Sequence, residues 1–223
     1  MGTLTITEFS TLDGVGQAPG GPEEDLDGGF THGGWQAAFV DPRVGAAIFE
    51  RATRMDALLL GRRTYDIFAG YWPTASPDIL FTALLNAVPR YVASRTLEAP
   101  LAWAGATLLG PDLGAEVRAL TDRHERVHVI GSLDLVQSLL ALDLVDEIEL
   151  WVHPVVLGTG KRVFGAGTIP TTLRLTESVT HPTGTLQLTF MRVGAREIEQ
   201  EVERRGTVRF VQPGQGPVQR PAV

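Results

Sequence analysis

Apolar residues in this chain fall into short runs separated by glycine, proline and acidic stretches. Leu4-Thr-Ile-Thr-Glu-Phe9 alternates as a half-buried strand does. A loop rich in Gly, Pro and acidic residues runs from Asp13 to Gly34. Loops of that length inside a compact domain are usually functional or mobile. Asp41-Pro42 then reads as a helix N-cap followed by proline at the first helical position, and Val44, Ile48, Phe49 and Ala52 recur at helical spacing. Ala57-Leu-Leu-Leu60 is a short buried strand that Gly61 ends. Short helices are predicted over Arg62–Phe68, broken at Tyr71-Trp72-Pro73, and over Phe81–Asn86. Arg90–Ala93 and Thr107–Leu109 read as strands, and Pro111 opens a helix carrying Leu113, Val117 and Leu120.

Val127-His-Val-Ile130 runs into Gly131-Ser132 and then into the apolar-rich Leu133–Leu140. A β-branched run thus meets a glycine, and a serine stands where a helix N-cap falls. Such a junction aims backbone N–H groups and a helix dipole at one spot, which suits an anion. Taken alone, the pattern is better read as a capped crossover helix. Glu147–Val152 is a further strand, and two β-rich runs between Thr171 and Val193 flank the turn His181-Pro-Thr-Gly184. This order predicts an α/β fold with a mostly parallel sheet, helices on both faces and antiparallel C-terminal edge strands.

Composition narrows the partners. The 223 residues fit one large domain with a tail, and 43% are hydrophobic, enough for a sizeable core. The domain is expected over residues 1–194. Residues 195–223 form an extension, with a short helix over Arg196–Arg205, a small strand over Thr207–Val211 and a flexible tail from Gln212. There is no cysteine, so no disulfide, thiolate metal site or cysteine nucleophile. A formal charge of −7 argues against nucleic acid held by phosphate neutralisation. The N-terminus lacks a basic signal-peptide region and no apolar run is long enough to cross a bilayer, so no membrane partner is expected and the expected compartment is the cytoplasm.

Four strand ends carry polar or charged residues together: Thr11-Leu-Asp-Gly14, Gly61-Arg-Arg-Thr64, Ser94-Arg-Thr96 and Gly131-Ser132. Ligands of parallel α/β sheets bind outside the carboxyl ends of the strands. Arginine forks suit phosphate, and hydroxyls suit ribose. Each arginine alone is read as a solvated surface charge; only their joint placement points to a groove for a phosphorylated nucleotide. Other patterns carry less. Gly158-Thr-Gly-Lys161-Arg162 lacks the spacing of a phosphate loop. Glu23-Glu-Asp25 with Asp27 lacks that of a calcium loop and reads as a solvated loop. His124 and His128 straddle a helix-to-strand change, so no metal is expected, and His153 reads as a structural histidine.

Five segments in order resemble the dihydrofolate reductase-like superfamily, above all the reductase domain of the bifunctional riboflavin-biosynthesis deaminase-reductase and its stand-alone bacterial relatives. They are Thr11–Gly20, His32-Gly-Gly-Trp35, Leu60-Gly-Arg-Arg-Thr-Tyr65, Val92-Ala-Ser-Arg-Thr96, and the stretch from Val129-Ile-Gly-Ser132 through Val152-His-Pro-Val-Val-Leu-Gly-Thr-Gly-Lys-Arg-Val-Phe164. The resemblance runs from Leu4 to about Val193. It implies a three-layer αβα fold, NADPH as cofactor and reduction of a small heterocyclic or carbonyl substrate, specifically a ribosylamino-pyrimidine of riboflavin biosynthesis.

By the same resemblance, Gly61, Arg62 and Thr64 contact cofactor phosphate. Ser94, Arg95 and Thr96 lie near the adenosine ribose and its 2′-phosphate, and Gly131, Ser132 and Leu133 lie beneath the pyrophosphate. Many relatives carry a second glycine at the position of Ser132. Asp13, where the first strand meets nicotinamide and substrate, is the candidate proton-handling carboxyl; its other reading is a turn cap. Gln17, Trp35, Tyr65 and Trp72 are candidates to line the substrate pocket, against a reading as ordinary packing. Relatives are often dimers, which makes a homodimer an expectation here. Two alternatives stand beside this reading: a dihydrofolate reductase-type activity, and a nucleotide-binding protein without catalysis.

Overall fold

The computed structural model describes residues 1–193. The helix, strand and tail expected between Arg196 and Val223 lie outside the described residues.

The alternating run at the N-terminus forms β1 (Thr3–Thr11), which occupies the middle of an eight-stranded sheet. The other strands are β2 (Ala57–Gly61), β3 (Arg90–Ala93), β4 (Ala106–Leu108), β5 (Arg126–Ile130), β6 (Glu147–His153), β7 (Leu173–Thr180) and β8 (Leu186–Arg192). Their order across the sheet is β4-β3-β2-β5-β1-β6-β8-β7. The pairs from β4 to β6 are parallel, whereas β8 runs antiparallel to both β6 and β7. The expected antiparallel edge is therefore present. Its hairpin closes on His181–Thr185, where the His181 N–H donates to the Thr185 carbonyl at 2.9 Å.

Five helices cover the sheet: α1 (Pro42–Ala52), α2 (Arg62–Tyr71), α3 (Leu80–Ala87), α4 (Leu113–Arg123) and α5 (Leu133–Ala141). Asp41 caps α1 as its sequence suggests, its side chain accepting the Arg43 N–H at 2.8 Å. Pro111 does not open α4. Asp112 does so instead, accepting the Ala115 N–H at 3.0 Å. Helix α2 continues to Tyr71, beyond the expected end at Phe68.

Period-two alternation sends the two sides of each strand into different cores. Leu4 and Ile6 of β1 join Val127 and Val129 of β5 beneath α4 and α5. Leu58 and Leu60 of β2 and Val92 of β3 pack with Tyr65 of α2, Leu85 of α3 and Trp103. This is the expected three-layer αβα arrangement. The odd-numbered side of β1 is polar, and Thr7 donates to the buried Glu149 at 3.2 Å. Arg51 of α1 lies over it, 3.4 Å from Glu149 and paired also with Glu177, which ties α1 to the sheet.

Candidate functional site

A groove of about 1450 Å³ opens at the carboxyl ends of β1, β2, β3 and β5. That is where a parallel sheet offers its ligand site, because each strand there turns into a loop or a helix N-terminus. The groove brings together Gly61–Thr64, Ser94–Thr96 and Gly131–Leu133, three of the four strand ends singled out from the sequence.

Two of these turns are braced against each other. The Gly61 N–H donates to the Ser132 hydroxyl at 3.0 Å, and the Ser132 N–H donates to the Thr64 hydroxyl at 3.0 Å. Ser132 adopts a left-handed backbone (φ 66°, ψ 43°), directly after Gly131 at φ 60°. It stands at the N-cap position of α5 but makes no side-chain cap. Its hydroxyl and its N–H are spent on the neighbouring turn. The Ser132 N–H therefore does not face the groove as an anion donor. The amides of the first turn of α5, which have no acceptor within the helix, remain for that role.

The arginines divide. Arg62 pairs with Asp66 at 3.0 Å and Arg63 with Asp27 at 2.5 Å. Arg95 is exposed on the groove and has no ion pair among the described residues. The Ser94 hydroxyl accepts the N–H groups of Thr96 (3.1 Å) and Leu97 (3.0 Å), a side-chain turn that fixes the backbone on both sides of Arg95. An unspent guanidinium, the Thr96 hydroxyl and the first-turn amides of α5 form a donor set that fits a phosphorylated nucleotide.

The loop from Gly16 to Asp25 also lines the groove, and its acids are not simply solvated. Gln17, buried, holds it with all its polar atoms. Its amide donates to the carbonyls of Asp25 (3.1 Å) and Asp27 (3.0 Å) and its oxygen accepts the Lys161 N–H at 2.9 Å. Lys161 pairs with Asp25 at 2.6 Å and with Asp27 at 3.0 Å, and Glu24 accepts the Gly20 and Gly21 N–H groups. Lys161 and Arg63 hold Asp27 well below the usual carboxylate range, at about 2. The glycine-rich Gly158–Arg162 segment is thus a turn that fastens this loop, not a phosphate loop.

Asp13 is not among the residues that line the groove. Its carboxylate accepts the Thr11 hydroxyl (2.6 Å) and the N–H groups of Leu157 (3.2 Å) and Gly158 (2.8 Å). These bonds, the one from Thr11 foremost, lower its pKa to about 2. The geometry is that of a turn anchor.

Of the four residues expected at the substrate end, Gln17 and Trp72 reach the groove. Trp72 stands with Ile67, Phe68 and Tyr71 in an apolar wall along α2, which offers a flat ring a surface to stack on. Tyr65 and Trp35 do not line it. Tyr65, one position past Thr64, turns about 100° round the helix into the core, where its hydroxyl accepts the Trp103 N–H at 3.0 Å. Trp35 is buried against His153, ring centroids 5.3 Å apart, and donates to the Gln17 carbonyl at 2.8 Å. His153 is a core histidine, as expected, and burial pushes its pKa down.

A buried carboxyl in the groove wall was not among the expected residues. Glu8 of β1 lines the groove, is 1% exposed, and its Oε1 has no hydrogen-bond partner among the described residues. The signal lay in the alternation. Position 8 continues the buried side of Leu4 and Ile6, where the strand pattern calls for an apolar residue.

The strand order, the helices on both faces and the groove at the strand ends define a dihydrofolate reductase-like α/β protein. The model of the RibD C-terminal domain matches residues 2–187, and the chain belongs to that family. Among curated proteins it is similar to the uncharacterized YyaP of Bacillus subtilis (strain 168), 28% identical over 155 residues that span 68% of this chain and 80% of that protein. Among solved structures, a putative riboflavin biosynthesis protein from Shewanella sp. PV-4 superposes with a TM-score of 0.65 at 21% identity, covering 86% of this chain and 99% of that one. A pyrimidine reductase-like protein from Corynebacterium diphtheriae gives 0.60 at 13% identity, covering 86% and 92%. The Thermotoga maritima diaminohydroxyphosphoribosylaminopyrimidine deaminase/5-amino-6-(5-phosphoribosylamino)uracil reductase gives 0.57 at 15% identity, covering 86% of this chain and 57% of that longer one. Among the described residues, no helix is long and apolar enough to cross a membrane.

Proposed function

We propose that the protein is an NADPH-dependent reductase acting on a small planar heterocycle, with 5-amino-6-(5-phosphoribosylamino)uracil as the specific candidate. The observation that carries this reading is the mixed lining of the groove. It offers Arg95, Thr96 and the first turn of α5 to phosphates, and the α2 wall to flat rings. When bound, NADPH supplies the hydride. The chain's own residues would hold it: Arg95 would pair with the 2′-phosphate, the α5 amides would bond the pyrophosphate, and the loop held by Gln17 would line the rest of the groove. Membership of the RibD C-terminal domain family and likeness to reductase folds support the chemistry.

The test is a pair of titrations followed by turnover. NADPH is expected to bind more tightly than NADH, and to be oxidised in the presence of 5-amino-6-(5-phosphoribosylamino)uracil. Oxidation with dihydrofolate alone would transfer the assignment to that substrate. Tight binding with no oxidation by either would leave a nucleotide-binding protein, and failure to bind either cofactor would remove the nucleotide reading altogether.

A further inference from the structure

Among the carboxyl groups that line the groove, that of Glu8 is the buried one. Glu8 sits on β1 opposite Leu150 of β6, in the strand next to the Gly131 turn, whose N–H donates to the Thr7 carbonyl at 3.2 Å. Its strand neighbours on the same side, Leu4 and Ile6, are core residues. A carboxyl in that series weakens the fold compared with the leucine or isoleucine that the pattern favours. Residues that break the local rule without a structural return are the ones to examine for function. The Glu8 Oε1 has no structural return, since no donor among the described residues reaches it.

We propose that Glu8 is the proton donor of the reduction, a carboxyl group in the groove wall that serves the substrate atom that gains the electron pair. This rests on the reductase reading above. Reduction of a C=N or C=O bond adds hydride to the carbon, and the π electron pair moves onto nitrogen or oxygen. The Glu8 O–H bond breaks and its proton goes to that atom, so the product gains one hydride and one proton. The carboxylate left behind recovers a proton from water as the groove opens to solvent.

Two features suit the group to this work. Burial pushes the Glu8 carboxyl up to about 8, so at neutral pH it still holds its proton. No fixed cation disturbs that state, because burial is the one cause of the shift. The charged groups on the surrounding elements are Asp134 on α5, Arg62 and Arg63 on α2, and Arg95 after β3. The loop adds Glu23, Glu24 and Asp25, with Lys161 beside them. None of them hydrogen-bonds Glu8. On β6, its partner Leu150 is apolar, and Glu149 belongs to the opposite side with Thr7 and Arg51.

Glu8→Gln keeps the shape and removes the acid, and Glu8→Asp keeps the acid but withdraws it by one methylene. Three measurements on the full chain separate the outcomes: NADPH binding, the protonated-carboxyl band in infrared spectra of the NADPH complex, and NADPH oxidation with 5-amino-6-(5-phosphoribosylamino)uracil. Glu8→Gln is expected to bind NADPH within about twofold of the parent and to lose a carboxyl band that the parent holds until about pH 8. Its kcat should fall by about 100-fold or more, with the alkaline limb of the pH profile gone. Glu8→Asp should recover part of that loss. A parental kcat and profile in Glu8→Gln overturns the proposal, and so does a parent with no protonated carboxyl at neutral pH. If the parent oxidises no NADPH with this pyrimidine, that substrate reading falls separately, and the infrared band then decides alone whether Glu8 is held as an acid.

Discussion

The hydroxyl of Thr64 accepts the N–H of Ser132 across two different strand-to-helix turns, at 3.0 Å. With the return bond from the Gly61 N–H to the Ser132 hydroxyl, the turns after β2 and β5 are fastened to each other. Ser132→Ala leaves the part-buried Gly61 N–H unmet, at a cost of about 1–3 kcal/mol. Ser132→Gly loses the same bond, but relieves a left-handed backbone that costs a non-glycine residue roughly 1 kcal/mol. Ser132→Ala is therefore expected to be the less stable of the two in urea unfolding. The reverse order would mean that the left-handed backbone, and not the hydroxyl that both variants lose, has little weight at this turn.

Arg95 is the groove's guanidinium without an ion pair among the described residues, while Arg62 and Arg63 are held by Asp66 and Asp27. Arg95→Ala should weaken NADPH by about 1.5–3 kcal/mol and NADH by much less. Fluorescence titration with both cofactors measures the difference. Equal losses would place Arg95 away from the 2′-phosphate.

The carboxylate of Asp13 is occupied by Thr11, Leu157 and Gly158. An amide offers one acceptor oxygen where the carboxylate offers two, so Asp13→Asn should destabilise the fold by about 1–3 kcal/mol. That loss should shrink at acid pH. The anchored form has its pKa lowered to about 2 from 3.8, so its contribution is present above 3.8 and disappears as pH falls through about 2. A collapse of turnover at unchanged stability would instead return Asp13 to the chemistry.

Two buried groups on opposite sides of the sheet give stability opposite slopes with pH. Glu8 titrates at about 8 in the fold and near 4.5 when exposed. The native chain keeps a proton that the unfolded chain sheds, so stability declines as pH rises from 4.5 through about 8. Burial lowers His128 from 6.5 to about 4, so the unfolded chain takes its proton first and stability declines as pH falls from 6.5 toward 4. Denaturant midpoints measured across this range should flatten on the alkaline side in Glu8→Gln and on the acid side in His128→Gln. Parallel curves for parent and variants would show that neither group titrates as its burial requires.

Much of this architecture was legible in the chain because alternation and helix signals repeat the same message. Leu4 and Ile6 set the inward side of β1, Asp41-Pro42 opens α1, and His181–Gly184 turns the hairpin. The groove was legible as a set of strand ends. What the sequence does not display is which partner each polar group finds across the fold. Ser132 reads as a cap and serves as a brace, and Asp25 and Asp27 read as solvated acids and grip Lys161. Trp35 and Tyr65 have the chemistry of pocket residues, and a single helix position decides that Tyr65 faces the core. Glu8 passes for one more polar residue in an alternating strand until its neighbours on the inward side are known.

The three bonds made by the Gln17 amide also bear on the timing of capture. A cover that has to be ordered at each encounter adds a slow unimolecular phase and an entropic penalty to binding. Here the segment from Gly16 to Asp27 is already fastened to Lys161 before any ligand arrives. Association is then expected to be a single diffusive event whose rate rises in proportion to ligand concentration, with selectivity among ligands expressed in how long each one stays.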